Sequence, residues 1–281
     1  MNSMASSLAS VDVLGIRVDD ITAPNLLDLI ESSVCNGQRL MVLNSNIHLI
    51  NLAFDRPWLR QLFAKADIAF CDGAGVQFAV WGLTGCKPSR HTPPEWIVEL
   101  AQRLARRDGT VYWLGGRPEV VSTAAARLEQ ATGLRTVGWH HGFFDRQRDG
   151  PENEAVIADI NSVCPDLLLL AMGMPAQEEW LHLSWDRVDA KVAISSGALV
   201  DHVAGLVQRP PPWVANSGLE WLVRLAIEPR RPWRRYLVGL PLFLLRIAPH
   251  LMQARLQPDG KICKLAGGII AAQSKQIARG D

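Results

Sequence analysis

Residues 166–180 read DLLLLAMGMPAQEEW, and this stretch decides the class of the fold. After Asp166 the chain is apolar up to residue 171 without any alternation, which is typical of a strand covered on both faces of its sheet. Gly173 and Pro175 then form a turn, and a helix is expected over residues 177–185. A buried strand followed by a glycine turn and a helix indicates one unit of a parallel sheet with helices packed on its faces.

The same unit repeats along most of the chain, because short apolar runs alternate with longer amphipathic segments from about residue 11 to 215. Strands are expected at residues 11–16, 39–43, 68–71, 111–114, 135–138, 166–171 and 191–194. Helices are expected between them, including one over residues 47–65 that Pro57 interrupts and one that begins after Thr92. This alternation predicts an α/β fold with a Rossmann-like, mostly parallel sheet and helices on both faces. We therefore predict a core of residues 1–215 and a basic, helical C-terminal appendage of residues 216–281.

The composition excludes several classes of protein. Of the 281 residues, 48% are apolar and 20% charged, which rules out a disordered, collagen-like or coiled-coil chain. The 29 basic and 28 acidic residues nearly cancel, so net charge does not indicate a nucleic-acid partner, and we expect none. The five cysteines form no C-x-x-C pair, no signal peptide is recognisable, and no run reaches the roughly 20 apolar residues of a spanning helix. We expect a cytoplasmic protein.

Small and polar residues follow the carboxyl ends of the predicted strands. These loops contain Asn44-Ser45-Asn46, Asp72-Gly73-Ala74-Gly75, Gly115-Gly116, Gly173 and Ser195-Ser196-Gly197. In a doubly wound parallel sheet, ligands bind beyond the carboxyl ends of the strands. The glycine turns would present backbone N–H groups and helix N-termini to that cleft, an arrangement that favours an anion such as a diphosphate.

Asp72 is the candidate for acid–base chemistry, and three interpretations of it are open. As a short polar residue before a helix, it could cap that helix. It could also belong to a dinucleotide fingerprint, although Phe78 stands in place of the third glycine. As a carboxylate at the mouth of a cleft, it could instead take the proton of an acceptor hydroxyl.

The sequence lacks the motifs of several other reaction classes. There is no G-x-x-x-x-G-K-[ST] loop of a nucleotide hydrolase, and Ser195-Ser196-Gly197 is not the G-x-S-x-G elbow of a serine hydrolase. No D-x-D pair is present, and the histidines lack the spacing of metal ligands. We therefore expect neither a metal nor a cofactor. Arginines and backbone N–H groups would then have to neutralise a bound diphosphate.

The end of the chain is strongly basic. After Pro210-Pro211-Pro212, six arginines and no acid lie between residues 230 and 256, around the nine-residue apolar run at 237–245. A solvated basic helix is one interpretation of this tail. We favour an element that lies on an anionic membrane, because arginines attract lipid head groups while apolar side chains enter the bilayer. The expected location is the inner face of the cell membrane.

These motifs together resemble the WecG/TagA/CpsF family of glycosyltransferases over about residues 11–236. The resemblance rests on Asn46, Asp72-Gly-x-Gly75, Gly115-Gly116-x-Pro118, His141-Gly142-Phe143-Phe144, Gly173-x-Pro175-x-Gln177-Glu178-x-Trp180, Gly197-x-x-x-Asp201, Arg209-Pro210 and Glu220-Trp221-x-x-Arg224-x-x-x-Glu228-Pro229-x-Arg231-x-x-Arg234. It implies the transfer of a hexose or N-acetylhexosamine, with inversion, from a UDP-sugar to a polyprenyl-diphosphate-linked saccharide. Such a reaction would serve the synthesis of a cell-surface polysaccharide or exopolysaccharide.

The resemblance also implies roles for particular residues. Asp72 matches the catalytic base, with Asn44 near the acceptor, at a position where N-acetylmannosaminyl members usually have Thr. Arg224 matches a catalytic position in an appendage that closes over the site. The positions expected to line the substrates are Asn46, Gly73, Gly115, Gly116, Gly173, Gln177, Glu178, Gly197, Arg231 and Arg234.

Two other functions compete with this one. A catalytically idle, membrane-docked nucleotide-binding subunit of a polysaccharide assembly complex would also fit the fold and the tail. A soluble dehydrogenase fits less well, because the glycine fingerprint is incomplete and the basic tail has no role in it. The presence of both Asp72 and the arginines favours the enzyme. The donor sugar, the acceptor saccharide and the oligomeric state, a homo-oligomer included, are open.

Overall fold

The computed structural model describes residues 8–207, 233 and 237–256, and within these ranges eight strands form one sheet. The strands are β1 (Ser10–Val13), β2 (Ile16–Asp19), β3 (Leu40–Ser45), β4 (Ile68–Cys71), β5 (Thr110–Gly115), β6 (Arg135–His140), β7 (Leu167–Ala171) and β8 (Val192–Ser195). Their order is β1-β2-β4-β3-β8-β7-β5-β6, with β1 antiparallel to β2 and the other pairings parallel. The predicted α/β fold with a mostly parallel sheet is confirmed.

Helices connect the strands and cover both faces of the sheet. They are α1 (Ala23–Cys35), α2 (Ile47–Asp55), α3 (Pro57–Lys65), α4 (Ala74–Thr84), α5 (Pro93–Ala105), α6 (Pro118–Thr132), α7 (Pro151–Val163), α8 (Ala176–Ser184), α9 (Leu199–Val203) and α10 (Gly239–Leu256). The expected break at Pro57 separates α2 from α3, since proline is well placed at the start of a helix. The expected start of α5 carries a capping box between Thr92 and Glu95.

Two apolar layers sandwich the sheet. In β7, Leu168 and Leu170 belong to one buried cluster, whereas Leu167 and Leu169 belong to the cluster on the opposite face. Because both faces are covered, every residue of β7 is buried. This explains why the run beginning at residue 167 shows no alternation of apolar and polar residues.

The single strand expected at residues 11–16 is wrong, because the chain reverses there into the β1–β2 hairpin. Leu14 and Gly15 form the two-residue turn with φ of 57° and 86°, the pattern that suits the twist of a tight hairpin. Asp12 supports the turn by accepting a hydrogen bond from the Gly15 N–H at 2.8 Å. The apolar Leu14 at the turn made the hairpin look like one continuous strand.

Helix α10 belongs to the predicted appendage, yet its inner face packs against α2 and α4. Phe243 and Ile247 are buried in the core cluster on that side of the sheet. Arg246, one of the six tail arginines, donates to Asn51 Oδ1 at 3.1 Å and stacks on Phe54 at 4.0 Å. Its helical spacing from Phe243 and Ile247 turns it toward α2, so it contributes to docking the helix onto the core.

Membrane-spanning helices are not found in the described ranges, where each helix is too short or too polar to cross a bilayer.

Candidate active site

The predicted site residues lie at one edge of the sheet. The strands β4, β3, β8, β7 and β5 are consecutive neighbours in the sheet and are parallel. Their carboxyl ends carry, in the same order, Asp72, Asn44, Gly197, Gly173 and Gly115. Residues that are up to 153 positions apart in the chain thus meet at one edge of the sheet, as expected for this fold.

Asp72 and Asn44 form a hydrogen-bonded pair at the ends of β4 and β3. Asn44 Nδ2 donates to Asp72 Oδ2 at 3.2 Å. The backbone N–H of Asp72 donates to the carbonyl of Ser45 at 3.0 Å, which holds the carboxylate beside the end of β3. Asn44 is buried and Asp72 half-buried, so the carboxylate has a fixed partner while it stays accessible.

The cap interpretation of Asp72 is not supported by the helix geometry, since the N-cap of α4 is Gly73 with an extended backbone. For the dinucleotide interpretation, the third glycine is missing, and Gly75 serves the packing of α4 against α2. A Cβ atom at Gly75 would lie 1.9 Å from Ile47 Cδ1, and one at Gly73 would lie 3.4 Å from Asn46 Cβ. Gly75 therefore allows the starts of α4 and α2 to lie close together, whereas a Cβ at Gly73 would make only an ordinary contact.

Ser195 is a member of this site that the sequence analysis did not single out. It is fully buried at the end of β8, between β3 and β7. Its hydroxyl accepts a hydrogen bond from the Asn44 N–H and donates one to Asn44 Oδ1, both at 3.0 Å. The available signal was a serine at the end of a strand predicted to be central, but the sequence does not reveal that β8 lies beside β3.

Asn46 has a structural contact on each side. Its Oδ1 caps α2 by accepting from the Leu49 N–H at 3.1 Å, and its Nδ2 lies 3.3 Å from the sulfur of Met174. The residue therefore joins the start of α2 to the turn after β7. We expected it to line the substrates, and the structure places it at the cleft edge as a helix cap.

The turn after β5 requires its glycines. Gly115 and Gly116 have φ of 142° and 72°, and a Cβ at Gly115 would lie 2.3 Å from the carbonyl carbon of Ala171. Such backbone conformations strain any residue with a side chain. The Gly116 carbonyl accepts from the Gly142 N–H at 2.9 Å, which anchors the loop after β6 on this turn. The backbone at this end of β5 therefore comes close to the neighbouring strand and loop.

Gln177 and Glu178, at the start of α8, are fully buried beneath the turns rather than exposed in the cleft. Gln177 Oε1 accepts from the Gly197 N–H at 3.1 Å, while its Nε2 donates to Glu178 Oε1 at 2.8 Å. Burial raises the pKa of Glu178 to about 7. Both side chains were expected to line the substrates. In the structure, Gln177 binds the Gly197 turn and Glu178 binds Gln177.

Two further observations limit the chemistry that the site can perform. Burial raises the pKa of the Cys71 thiol, next to Asp72, to about 12, so this cysteine is a poor nucleophile near neutral pH. In the part of the chain that the structure describes, His, Cys, Asp and Glu side chains form no group of three that could hold a metal ion. The predicted site residues Arg224, Arg231 and Arg234 lie outside the described residues.

Comparison with known proteins decides the family. The sequence model described as "Glycosyl transferase WecG/TagA/CpsF family" matches residues 11–257. The chain belongs to this family of glycosyl transferases. The match agrees with the resemblance drawn from the motifs, and it extends from β1 to the end of α10.

Relatives with assigned names add detail to this membership of the WecG/TagA/CpsF family. The chain is 28% identical over 247 residues to a protein of Staphylococcus aureus strain NCTC 8325 / PS 47 named N-acetylglucosaminyldiphosphoundecaprenol N-acetyl-beta-D-mannosaminyltransferase. The match covers 86% of this chain and 94% of that protein. A protein of the same name from strain MRSA252 matches with the same identity and coverage. These relatives are mannosaminyltransferases named for a lipid-diphosphate-linked acceptor.

Proposed function

We propose that this protein transfers a hexose or N-acetylhexosamine, of the N-acetylmannosamine or glucose type, from a UDP-sugar to a polyprenyl-diphosphate-linked saccharide. The reaction inverts the anomeric centre and serves the synthesis of a cell-surface polysaccharide. Family membership and the names of the Staphylococcus relatives support glycosyl transfer to a lipid-linked acceptor.

The observation that carries the proposal is the Asn44–Asp72 pair at the cleft edge. In an inverting transfer, one carboxylate takes the proton of the acceptor hydroxyl as the oxygen attacks the anomeric carbon from the face opposite the leaving group. Asp72 has the chemistry for this step, since it is accessible and is held by Asn44 at one oxygen. The bond to the sugar forms at the acceptor oxygen while the bond to the diphosphate breaks.

The leaving nucleoside diphosphate needs stabilisation of its negative charge, which is the largest contribution in many enzymes. The glycine turns after β5, β7 and β8 bring backbone close to the cleft edge without side chains in the way. We assign the remaining counter-charge to Arg224, Arg231 and Arg234, which stand in the basic tail. The side chain of Gln177 contributes indirectly, since it holds the Gly197 turn.

The acceptor lipid and the membrane surface are assigned to the outer face of α10. Its exposed apolar side chains recur at helical spacing and so form one stripe: Leu242, Leu245, Pro249, Met252 and Leu256. The opposite face is buried in the core, so the helix is apolar on two sides, and residues 237–256 contain no acid. A monotopic helix of this composition suits the anionic inner leaflet.

The helix that carries this stripe packs on two helices that begin at the proposed site. Helix α10 packs on α2 and α4, and these two helices begin directly after β3 and β4. Asp72 precedes α4, whose exposed face also carries Trp81, 52% accessible.

The competing function is a catalytically idle nucleotide-binding subunit with the same fold and membrane contact. An accessible carboxylate with a fixed amide partner favours the enzyme, because a binding subunit has no need of a base.

One experiment separates the two functions. The full-length protein is incubated with a panel of UDP-sugars and a synthetic lipid-diphosphate-linked saccharide, and both product and anomeric configuration are determined. We expect turnover with one or a few donors and an inverted product. Binding of UDP without transfer from any donor would support the idle subunit, and a product with retained configuration would exclude the role given to Asp72.

A further inference from the structure

The hydroxyl of Ser195 makes two hydrogen bonds to the same residue, Asn44. It accepts from the backbone N–H and donates to the side-chain Oδ1, each at 3.0 Å. Both residues are buried, with Ser195 wholly inaccessible. They belong to neighbouring strands, β8 and β3, but lie 151 positions apart in the chain.

The Ser195 hydroxyl and the Asp72 carboxylate favour the same orientation of the Asn44 amide. A serine hydroxyl has one proton, and because its oxygen already accepts from the Asn44 N–H, that proton is free to go to a side-chain acceptor. The acceptor is Asn44 Oδ1, so the amide nitrogen must point the other way, toward Asp72 Oδ2 at 3.2 Å. The buried hydroxyl thus supplies a donor to the amide oxygen, and the amide nitrogen is left to the carboxylate.

We propose that Ser195 is a positioning residue for the catalytic carboxylate, acting through the orientation of the Asn44 amide. This inference rests on the proposed function, in which Asp72 is the base. With the nitrogen toward Asp72, the amide donates to one carboxylate oxygen and holds the carboxyl plane for the approach of the acceptor hydroxyl. With the amide reversed, two acceptor oxygens would face each other and repel, and the carboxylate would turn away.

The same turn provides a matched control. Ser196 is also buried and also makes a side-chain hydrogen bond, but its Oγ donates to the Leu170 carbonyl at 2.7 Å and not to Asn44. Removing the Ser195 hydroxyl takes away the acceptor of the Asn44 N–H, whereas the Leu170 carbonyl still accepts from the Ser196 N–H at 2.8 Å when the Ser196 hydroxyl is removed. Ser196→Ala should therefore cost less stability than Ser195→Ala, and only Ser195→Ala should disturb Asp72.

The test is a double-mutant cycle in the full-length enzyme with Ser195→Ala, Asn44→Ala, the double variant and Ser196→Ala. We expect Ser195→Ala to lower kcat by about 10–100-fold, the usual effect of misplacing a catalytic group, with the donor KM within about three-fold of wild type. Ser196→Ala should keep kcat within about three-fold of wild type. The double variant should match Asn44→Ala within about two-fold, because a residue that acts through Asn44 has no further effect once Asn44 is gone.

Three results would overturn the proposal: an unchanged kcat in Ser195→Ala, an equal loss in Ser196→Ala, or losses that multiply in the double variant. Asp72→Asn is measured in parallel, so that the role of Asp72 as the base and the positioning role of Ser195 are tested separately. If Asp72→Asn stays active, the base assignment is wrong; if it is inactive while Ser195→Ala is normal, only the positioning role is wrong. Should Ser195→Ala not fold, Ser195→Cys keeps the shape with a weaker donor. A folded Ser195→Cys with wild-type kcat would equally reject the idea.

Discussion

Gln177 Oε1 accepts a hydrogen bond from the backbone N–H of Gly197 at 3.1 Å, which ties the start of α8 to the turn after β8. The N–H group of Gly197 is thereby used within the protein. Gly197 has a φ of 57°, a conformation that most other residues would adopt only with strain. The shape of this turn at the cleft edge therefore depends on a buried side chain that a ligand does not need to touch.

Gln177→Ala should weaken UDP binding about tenfold, because the released Gly197 turn must then be ordered when UDP binds, at a cost of about 1.4 kcal/mol. Isothermal titration with UDP measures this change. Gln130→Ala, at an exposed position of α6, is the matched control and should bind as wild type does. Wild-type affinity in Gln177→Ala would show that the turn keeps its shape without this side chain.

The pH dependence of stability should reveal the buried Glu178. Burial raises its pKa in the folded state to about 7 from an ordinary value of 4.5, so between these values the folded protein retains a proton that the unfolded chain releases. The stability that Glu178 contributes is therefore present below about pH 4.5 and is lost as the pH rises through about 7.

Thermal unfolding of wild type and Glu178→Gln from pH 5 to 8 isolates this contribution, because the variant cannot titrate at that position. We expect the Tm of wild type to fall relative to that of the variant as the pH rises. His182, on the same helix, has its pKa lowered by burial and by Lys65. Protonation of His182 therefore lowers the stability of both proteins equally as the pH falls. Parallel curves for the two proteins would contradict the prediction.

Asp72→Asn should lower turnover by about 10²–10⁴-fold, the usual contribution of a general base, while UDP affinity stays within a few-fold. Steady-state kinetics under conditions that limit the chemical step provide the measurement. Asp20→Asn is a useful control, because Asp20 is a neighbouring carboxylate whose charge also acts on Cys71 but which pairs with the Ser89 N–H. If Asp72→Asn keeps more than about a tenth of the turnover, Asp72 is not the base.

Turnover should persist in EDTA. The sequence has no D-x-D pair and its histidines lack ligand spacing, so we assign the counter-charge of the diphosphate to tail arginines. The assay compares initial rates with and without chelator after extensive dialysis. Loss of activity on chelation, with recovery on adding Mg²⁺ or Mn²⁺, would reject this assignment.

Leu245→Glu should release the protein from anionic liposomes without lowering its Tm, because Leu245 is 74% exposed on the outer face of α10. Phe243→Ala, on the buried face of the same helix, should instead lower stability by about 3–5 kcal/mol. Co-sedimentation at increasing salt should also show weaker binding of the wild type, since salt screens surface charge. If Leu245→Glu sediments with liposomes as wild type does, the stripe is not the membrane contact.

The sequence by itself determined the architecture and the edge of the sheet that carries the site. Apolar runs such as residues 167–171, glycine turns and the capping box at Thr92 are local signals, and each reflects an interaction between residues close in the chain. The order of strands and helices then implies a parallel sheet, whose carboxyl ends bring Asp72 and Asn44 together. The motif resemblance agreed with the family that the comparison established.

Only the tertiary structure decided which side chains touch. Ser195 is hydrogen-bonded to Asn44 across 151 positions, Gln177 is buried under the Gly197 turn, and Arg246 packs on α2. The order of strands in the sheet, with β8 beside β3, sets these contacts, and no local pattern encodes that order. The hairpin at Leu14 was missed because an apolar residue occupies the turn and made the segment look like one strand. The reversal of the chain depends on the backbone angles of Leu14 and Gly15, which the apolar pattern does not indicate.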